Sequence, residues 1–167
     1  MTAAGLGTVM AVASAVVWAL AAVGKLAHRA ETATDFAGLG LRAAPVLAVV
    51  VAVVELAAAA LLLWRPQVGG AVALALLAVF TAVIVRALAR GVQTGCGCFG
   101  SRRPSALGPA DVVRNALLAA FAVVATGARR LVAPSAGDVA VGVVLVFAAA
   151  AVLGVAQRRL VPSARAR

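Results

Sequence analysis

The residues with the most chemistry to offer are two cysteines, Cys96 and Cys98, in the run Gly95-Cys96-Gly97-Cys98-Phe99-Gly100. A disulfide across one residue demands a tight turn, because the Cα atoms of an extended Cys-x-Cys lie near the limit of about 7 Å that a bridge tolerates. Gly97, lacking a Cβ, supplies the turning freedom. Closing so short a loop removes almost no entropy from the unfolded chain, so the pair does not staple a fold. A strained bridge of this kind instead has the oxidising potential of a labile, catalytic disulfide. Arg90, Arg102 and Arg103 stand close in sequence, and cationic neighbours favour thiolate over thiol. Two other readings stay open: a pair of small apolar residues in a glycine-rich loop, or two thiolates for a soft cation such as Cu(I). Closed zinc sites take four ligands, and the one histidine, His28, is a poor sole completion. No resident metal is expected.

The second chemical residue is Glu55. It lies ten residues past Pro45, about 15 Å along a helix and near the middle of a bilayer core about 30 Å thick. A carboxylate at that depth costs several kcal/mol unless protonated or paired, and reads as functional by default. Lys25, Arg86 and Arg114 stand at the ends of apolar runs on the side of the cysteines and are the candidate partners. Lys25 is preferred, because a flexible ammonium changes its protonation readily when buried. The competing reading is a purely structural ion pair, with Arg86 snorkelling to the interface. Asn115, beside Arg114, has the amide to bridge helices by hydrogen bonds.

The elements that must position these residues follow from composition. The chain has 167 residues, 65% hydrophobic and 12% charged, against about 45–50% and 25% in soluble domains. So apolar a chain cannot bury its surface in water, which excludes a soluble enzyme, and disorder is excluded by the same numbers. The net charge of +10 does not indicate nucleic-acid binding, since the basic residues are scattered in short pieces between apolar runs. Five runs approach the roughly 20 residues that a crossing needs. They give an all-α, polytopic integral membrane bundle: a single membrane domain over 1–167 with spans at about 5–26, 45–64, 67–88, 110–127 and 138–156, and a redox loop at 91–109. The first run has no basic n-region and is too long for an h-region, so it reads as a retained span. Segment 27–42 reads as a short interfacial helix carrying Phe36, Leu39 and Leu41. Trp64 reads as an interfacial belt residue, whereas Trp18 sits too far inside its run for one.

Five crossings put the loops at 25–44 and 86–114 and the C-terminal tail on one face. That face carries twelve Lys and Arg, the opposite face only Arg65, Arg129 and Arg130. The bias of basic residues toward the inside places the cysteine loop in the cytoplasm.

Taken together, Gly24-Lys25 closing the first span, Phe36, Pro45 opening the second with Glu55 inside it, the Cys96-Gly97-Cys98-Phe99-Gly100 loop and Arg114-Asn115 carry a resemblance. The chain resembles the methylamine-utilisation MauE proteins and their DoxX-like relatives, redox-associated membrane proteins, over most of its length up to about residue 127. The resemblance implies a multi-pass protein of a bacterial plasma membrane that supports thiol–disulfide chemistry in maturing a disulfide-rich periplasmic partner, with a thioredoxin-like protein. Such a client implies an external cysteine loop, opposite to the charge count.

The leading functional reading is a thiol–disulfide oxidoreductase, or the membrane half of such a system, in which Cys96 and Cys98 exchange disulfides with a thioredoxin-like or other thiol partner. Glu55 with Lys25 or Arg114 forms its proton-handling site. One cysteine pair gives no internal relay, so a second redox partner is needed, either a thioredoxin-like protein or a lipid quinone. The alternative is a non-enzymatic membrane scaffold or a carrier of a soft metal or small solute.

Overall fold

The computed structural model describes residues 3–92, 107–128, 131–133 and 135–160. Cys96, Cys98 and most of the loop expected at 91–109 lie outside them. All regular structure among the described residues is helical: α1 (Ala3–Ala27), α2 (Arg29–Gly38), α3 (Ala44–Trp64), α4 (Pro66–Ala89), α5 (Pro109–Thr126) and α6 (Ala136–Leu160). Of these, α1, α3, α4 and α5 are long and apolar enough to cross a membrane. They make the chain a polytopic helical membrane protein, and they cover the first four apolar runs. The short helix expected in 27–42 is α2.

Local chemistry sets the breaks between helices. A residue before proline is pushed out of the helical region, and Arg65, at φ −136° and ψ 80°, both ends α3 and precedes Pro66 at the start of α4. One residue thus reverses the chain. Helices α2 and α4 end in matching Schellman caps. Gly40 at φ +78° donates its N–H to the Ala37 carbonyl and Leu41 donates to Phe36, while Gly91 at φ +65° donates to Leu88 and Val92 to Ala87. In each cap only glycine takes the left-handed position without strain, and an apolar contact closes the motif. Ala43, at φ 54° and ψ 36°, holds a left-handed position without being glycine, just ahead of Pro45.

Small residues let the helices approach closely, as they must where lipid offers no hydrophobic drive for association. The core gathers Ala11, Ala15, Trp18, Ala59, Leu62, Ala73, Leu77, Ala122 and Ala125 from α1, α3, α4 and α5. Trp18 is buried there, its ring 6.2 Å from that of Phe80. Trp64 is 84% exposed at the turn between α3 and α4. Gly7 faces Ala128, Gly70 faces Thr126 and Gly142 faces Val9, each where a Cβ would collide. On α2, the carboxyl of Asp35 is raised above its usual range by partial burial and then by the charge of Glu31.

Candidate functional site

Two helices running in opposite directions bring Lys25 and Glu55 together. Side chains lean toward the N-terminus of their own helix. From the last turn of α1, Lys25 therefore reaches down into the bundle, and from the middle of α3, Glu55 reaches up toward it. The ammonium Nζ donates to Glu55 Oε1 at 2.8 Å and to Oε2 at 2.9 Å. Both side chains are wholly buried. The pair meets the requirement that a charge in a low-dielectric interior be matched and hydrogen-bonded.

The other basic candidates for Glu55 are placed differently. Arg86 lies exposed in the last turn of α4, which fits snorkelling. Arg114 engages Asp111 one turn before it on α5, Nη1 to Oδ1 at 3.0 Å. Facing geometry separates them from Lys25: one turn of α5 puts Arg114 beside its own helix's acid, a pairing legible from the i, i+3 spacing alone. Asn115 does bridge helices, donating from Nδ2 to Thr81 Oγ1 of α4 at 3.1 Å.

The segment carrying the cysteines is anchored at both ends. On its N-terminal side the Gly91 cap turns the chain and Val92 packs on the cluster of Ile84, Ala87 and Leu107. On its C-terminal side Leu107 is buried in the same cluster, and Leu39 from the end of α2 joins it. The Gly108 N–H then donates to Asp111 Oδ2 at 3.0 Å, which satisfies one of the orphan donors of the α5 N-terminus, with Pro109 in the first turn. Asp111 is a residue of this site that the sequence analysis does not single out, although Gly-Pro-x-Asp is a helix-start signal that points to its capping role.

Next to this anchor lies a cavity of about 170 Å³ between α2, the start of α3 and α4, lined by Lys25, Phe36, Leu39, Leu41, Leu47, Val79, Phe80, Val83 and Ile84. Leu39 thus belongs both to its wall and to the cluster that fixes the ends of the cysteine segment. Among the described residues no group of three His, Cys, Asp or Glu is placed to hold a metal ion.

The family model of the methylamine utilisation protein MauE matches residues 3–128. The chain belongs to the MauE family. The match takes in α1 to α5 and every residue of the site, the Lys25–Glu55 pair and the cysteines included, and stops before α6. No curated protein and no solved structure matches the chain. This MauE-family protein is therefore a multi-pass membrane protein of a family linked to methylamine utilisation, with a buried acid–base pair in its bundle.

Proposed function

We propose that the protein is the membrane component of a thiol–disulfide redox system. Cys96 and Cys98 cycle between dithiol and disulfide, and exchange with a thioredoxin-like or other thiol partner runs through a mixed disulfide, as such exchange must. One cysteine bonds the partner's sulfur and the other displaces it. The observation that carries the reading is the buried Lys25–Glu55 pair in a bundle whose Leu39 lines one cavity with Lys25 and also packs on the Ile84–Ala87–Leu107 cluster, which takes Val92 as well. Thiol oxidation releases protons, and a coupled acid and base in a dry bundle is a natural site to handle them.

In this reading α6 makes a fifth crossing, the membrane is a bacterial plasma membrane, and the cysteine segment faces the cytoplasm with the basic loops. Arg114 acts as a positioning residue, holding Asp111 where it caps α5 and fixes the segment's C-terminal end. The thiol chemistry does not require methylamine as a substrate.

The test is trapping. Cells expressing Cys98→Ser with its native neighbours are quenched in acid and alkylated, and the membrane fraction is run without reductant. Cys96 should accumulate in a reductant-sensitive adduct with a thiol protein that the wild type resolves. If neither Cys98→Ser nor Cys96→Ser forms an adduct and the wild type stays fully reduced under oxidising conditions, the carrier or scaffold reading replaces this one.

A further inference from the structure

We infer that the groove between α4 and α5 is a dimer interface, which receives α4 of a second copy of this chain. The groove, of about 570 Å³, is open along one side, and its walls of Leu, Val and Ala carry two polar residues, Thr81 and Asn115. Three observations point to this occupant. The first is a seam. Ala71, Ala75, Ala78, Ala82, Val85 and Ala89 are all exposed on α4, and their alternation of four and three is the spacing that keeps one helix face against another in a left-handed pair. Ala78, Ala82 and Val85 also line the groove. Small residues so spaced let membrane helices approach closely, whereas the exposed positions of α1 and α3 include Val16, Leu20, Val46 and Val53.

The second is a hydrogen-bond deficit. Thr8, Thr34 and Thr126 donate their hydroxyls to carbonyls of their own helices. Thr81 instead accepts from Asn115 Nδ2 at 3.1 Å, and its own proton has no acceptor among the described residues. Asn115, 2% exposed, uses one N–H in that bond, and its Oδ1 has no donor among the described residues. Hydroxyl and amide thus keep bonding capacity in hand. Lipid cannot take it up, because Thr81 lies about 12 Å along the helix from Ala89, within a hydrocarbon core about 30 Å thick. The third is self-complementarity. One copy lacks an acceptor for Thr81 and a donor for Asn115, and a second copy brings both on the same surface. Copies inserted the same way round share a two-fold axis along the membrane normal, so the contact is isologous. Each α4 enters the other copy's groove, and each Thr81 hydroxyl donates to Asn115 Oδ1 of the other copy at equal depth. The interface is built from the two helices that the cysteine segment joins.

The test uses full-length protein in liposomes. In a Cys96→Ser/Cys98→Ser background, single cysteines are placed in turn along 71–89, and mild oxidation cross-links copies at positions that meet. Cross-linking should peak with four-three spacing at Ala71→Cys, Ala75→Cys, Ala78→Cys and Ala82→Cys, and be absent at Val53→Cys on the exposed side of α3. Association is measured by energy transfer between donor-tagged and acceptor-tagged copies as protein is diluted with lipid. Ala78→Leu/Ala82→Leu, which fills the groove from exposed positions, should weaken association by about tenfold or more. Thr81→Val should weaken it roughly fivefold through the loss of two symmetric bonds, and Val53→Leu should leave it unchanged. If the double leucine variant does not assemble, Ala71→Leu at the far end of the seam reads the same. Energy transfer no greater than random proximity gives overturns the interface and leaves the groove to a lipid-soluble ligand. Cross-links without the four-three period, or association indifferent to the α4 variants, overturn it too, by placing the contact on another face. Because the scanned proteins lack both thiols, the result stands apart from the redox reading.

Discussion

Lys25 and Glu55 form a bidentate ion pair, Nζ to Oε1 at 2.8 Å and to Oε2 at 2.9 Å, with no surface of either side chain exposed. The pair joins the end of α1 to the middle of α3, the two helices that frame the proposed site. Neither charge is tolerable alone at that place, so each depends on the other more than the bundle depends on both.

That dependence is measurable. Lys25→Met strands the Glu55 carboxylate and should cost about 3–5 kcal/mol, the usual penalty for breaking a buried pair. Lys25→Met/Glu55→Leu should recover most of the loss. Thermal unfolding of the detergent-solubilised proteins checks this, and a double variant as unstable as the two single losses added together would show that the groups are not coupled.

Close packing makes a second prediction. A Cβ at Gly69 would run into the backbone of Leu61 and Leu62 across the α3–α4 reversal, while at Gly70 the first obstacle is the Thr126 methyl, a side-chain tip. Backbone cannot withdraw as a side chain can, so Gly69→Ala should destabilise more than Gly70→Ala, within the ~1–3 kcal/mol typical of overpacking. Equal losses would contradict the placement of the α3–α4 turn.

The Asn115–Thr81 hydrogen bond ties α5 to α4. Between membrane helices such bonds are worth about 0.6 kcal/mol on average and at most about 1.7. A double-mutant cycle of Asn115→Ala and Thr81→Ala, read by unfolding in mixed micelles, should return a coupling in that range. A coupling of zero would mean that the two side chains do not meet.

Orientation is tested by labelling. In the five-crossing reading, which puts twelve basic residues on the cysteine-bearing face and three on the other, an impermeant maleimide should reach Cys98 only after the cells are lysed. Labelling in intact cells, with internal controls unlabelled, would place the segment outside and redirect the search for its partner to the periplasm.

Much of the bundle is legible in the sequence because membrane helices announce themselves by length and apolarity. Lys25 as the partner of Glu55 is legible too, since it closes the span preceding the one that holds the acid, and neighbouring spans run antiparallel. What periodicity does not reveal is how α2 folds back. The Schellman cap at Gly40 turns Leu41 onto Phe36, and Leu39, just before that turn, packs on the cluster of Ile84, Ala87 and Leu107. The cavity lined by Lys25 exists because four helices, α1 to α4, meet there, and no single segment carries its signal. Asp111 has the opposite history. Its cap and its Arg114 contact are local, and both are readable from the Gly-Pro-x-Asp start and the i, i+3 spacing.

The central claim is that the cysteine pair and the buried ion pair act as one redox unit, and the most direct test is the rate of thiol–disulfide exchange as a function of pH. Full-length protein in nanodiscs, wild type and Glu55→Gln, is mixed with a glutathione redox buffer at each pH, and the oxidised fraction of Cys96–Cys98 is followed in time by acid quenching, alkylation and mass spectrometry. The account predicts a reducible disulfide in both proteins, with a pH dependence of exchange that is altered in Glu55→Gln while its assembly is normal. A wild-type protein that never forms the disulfide, or a Glu55→Gln variant with unchanged exchange at every pH, would contradict it.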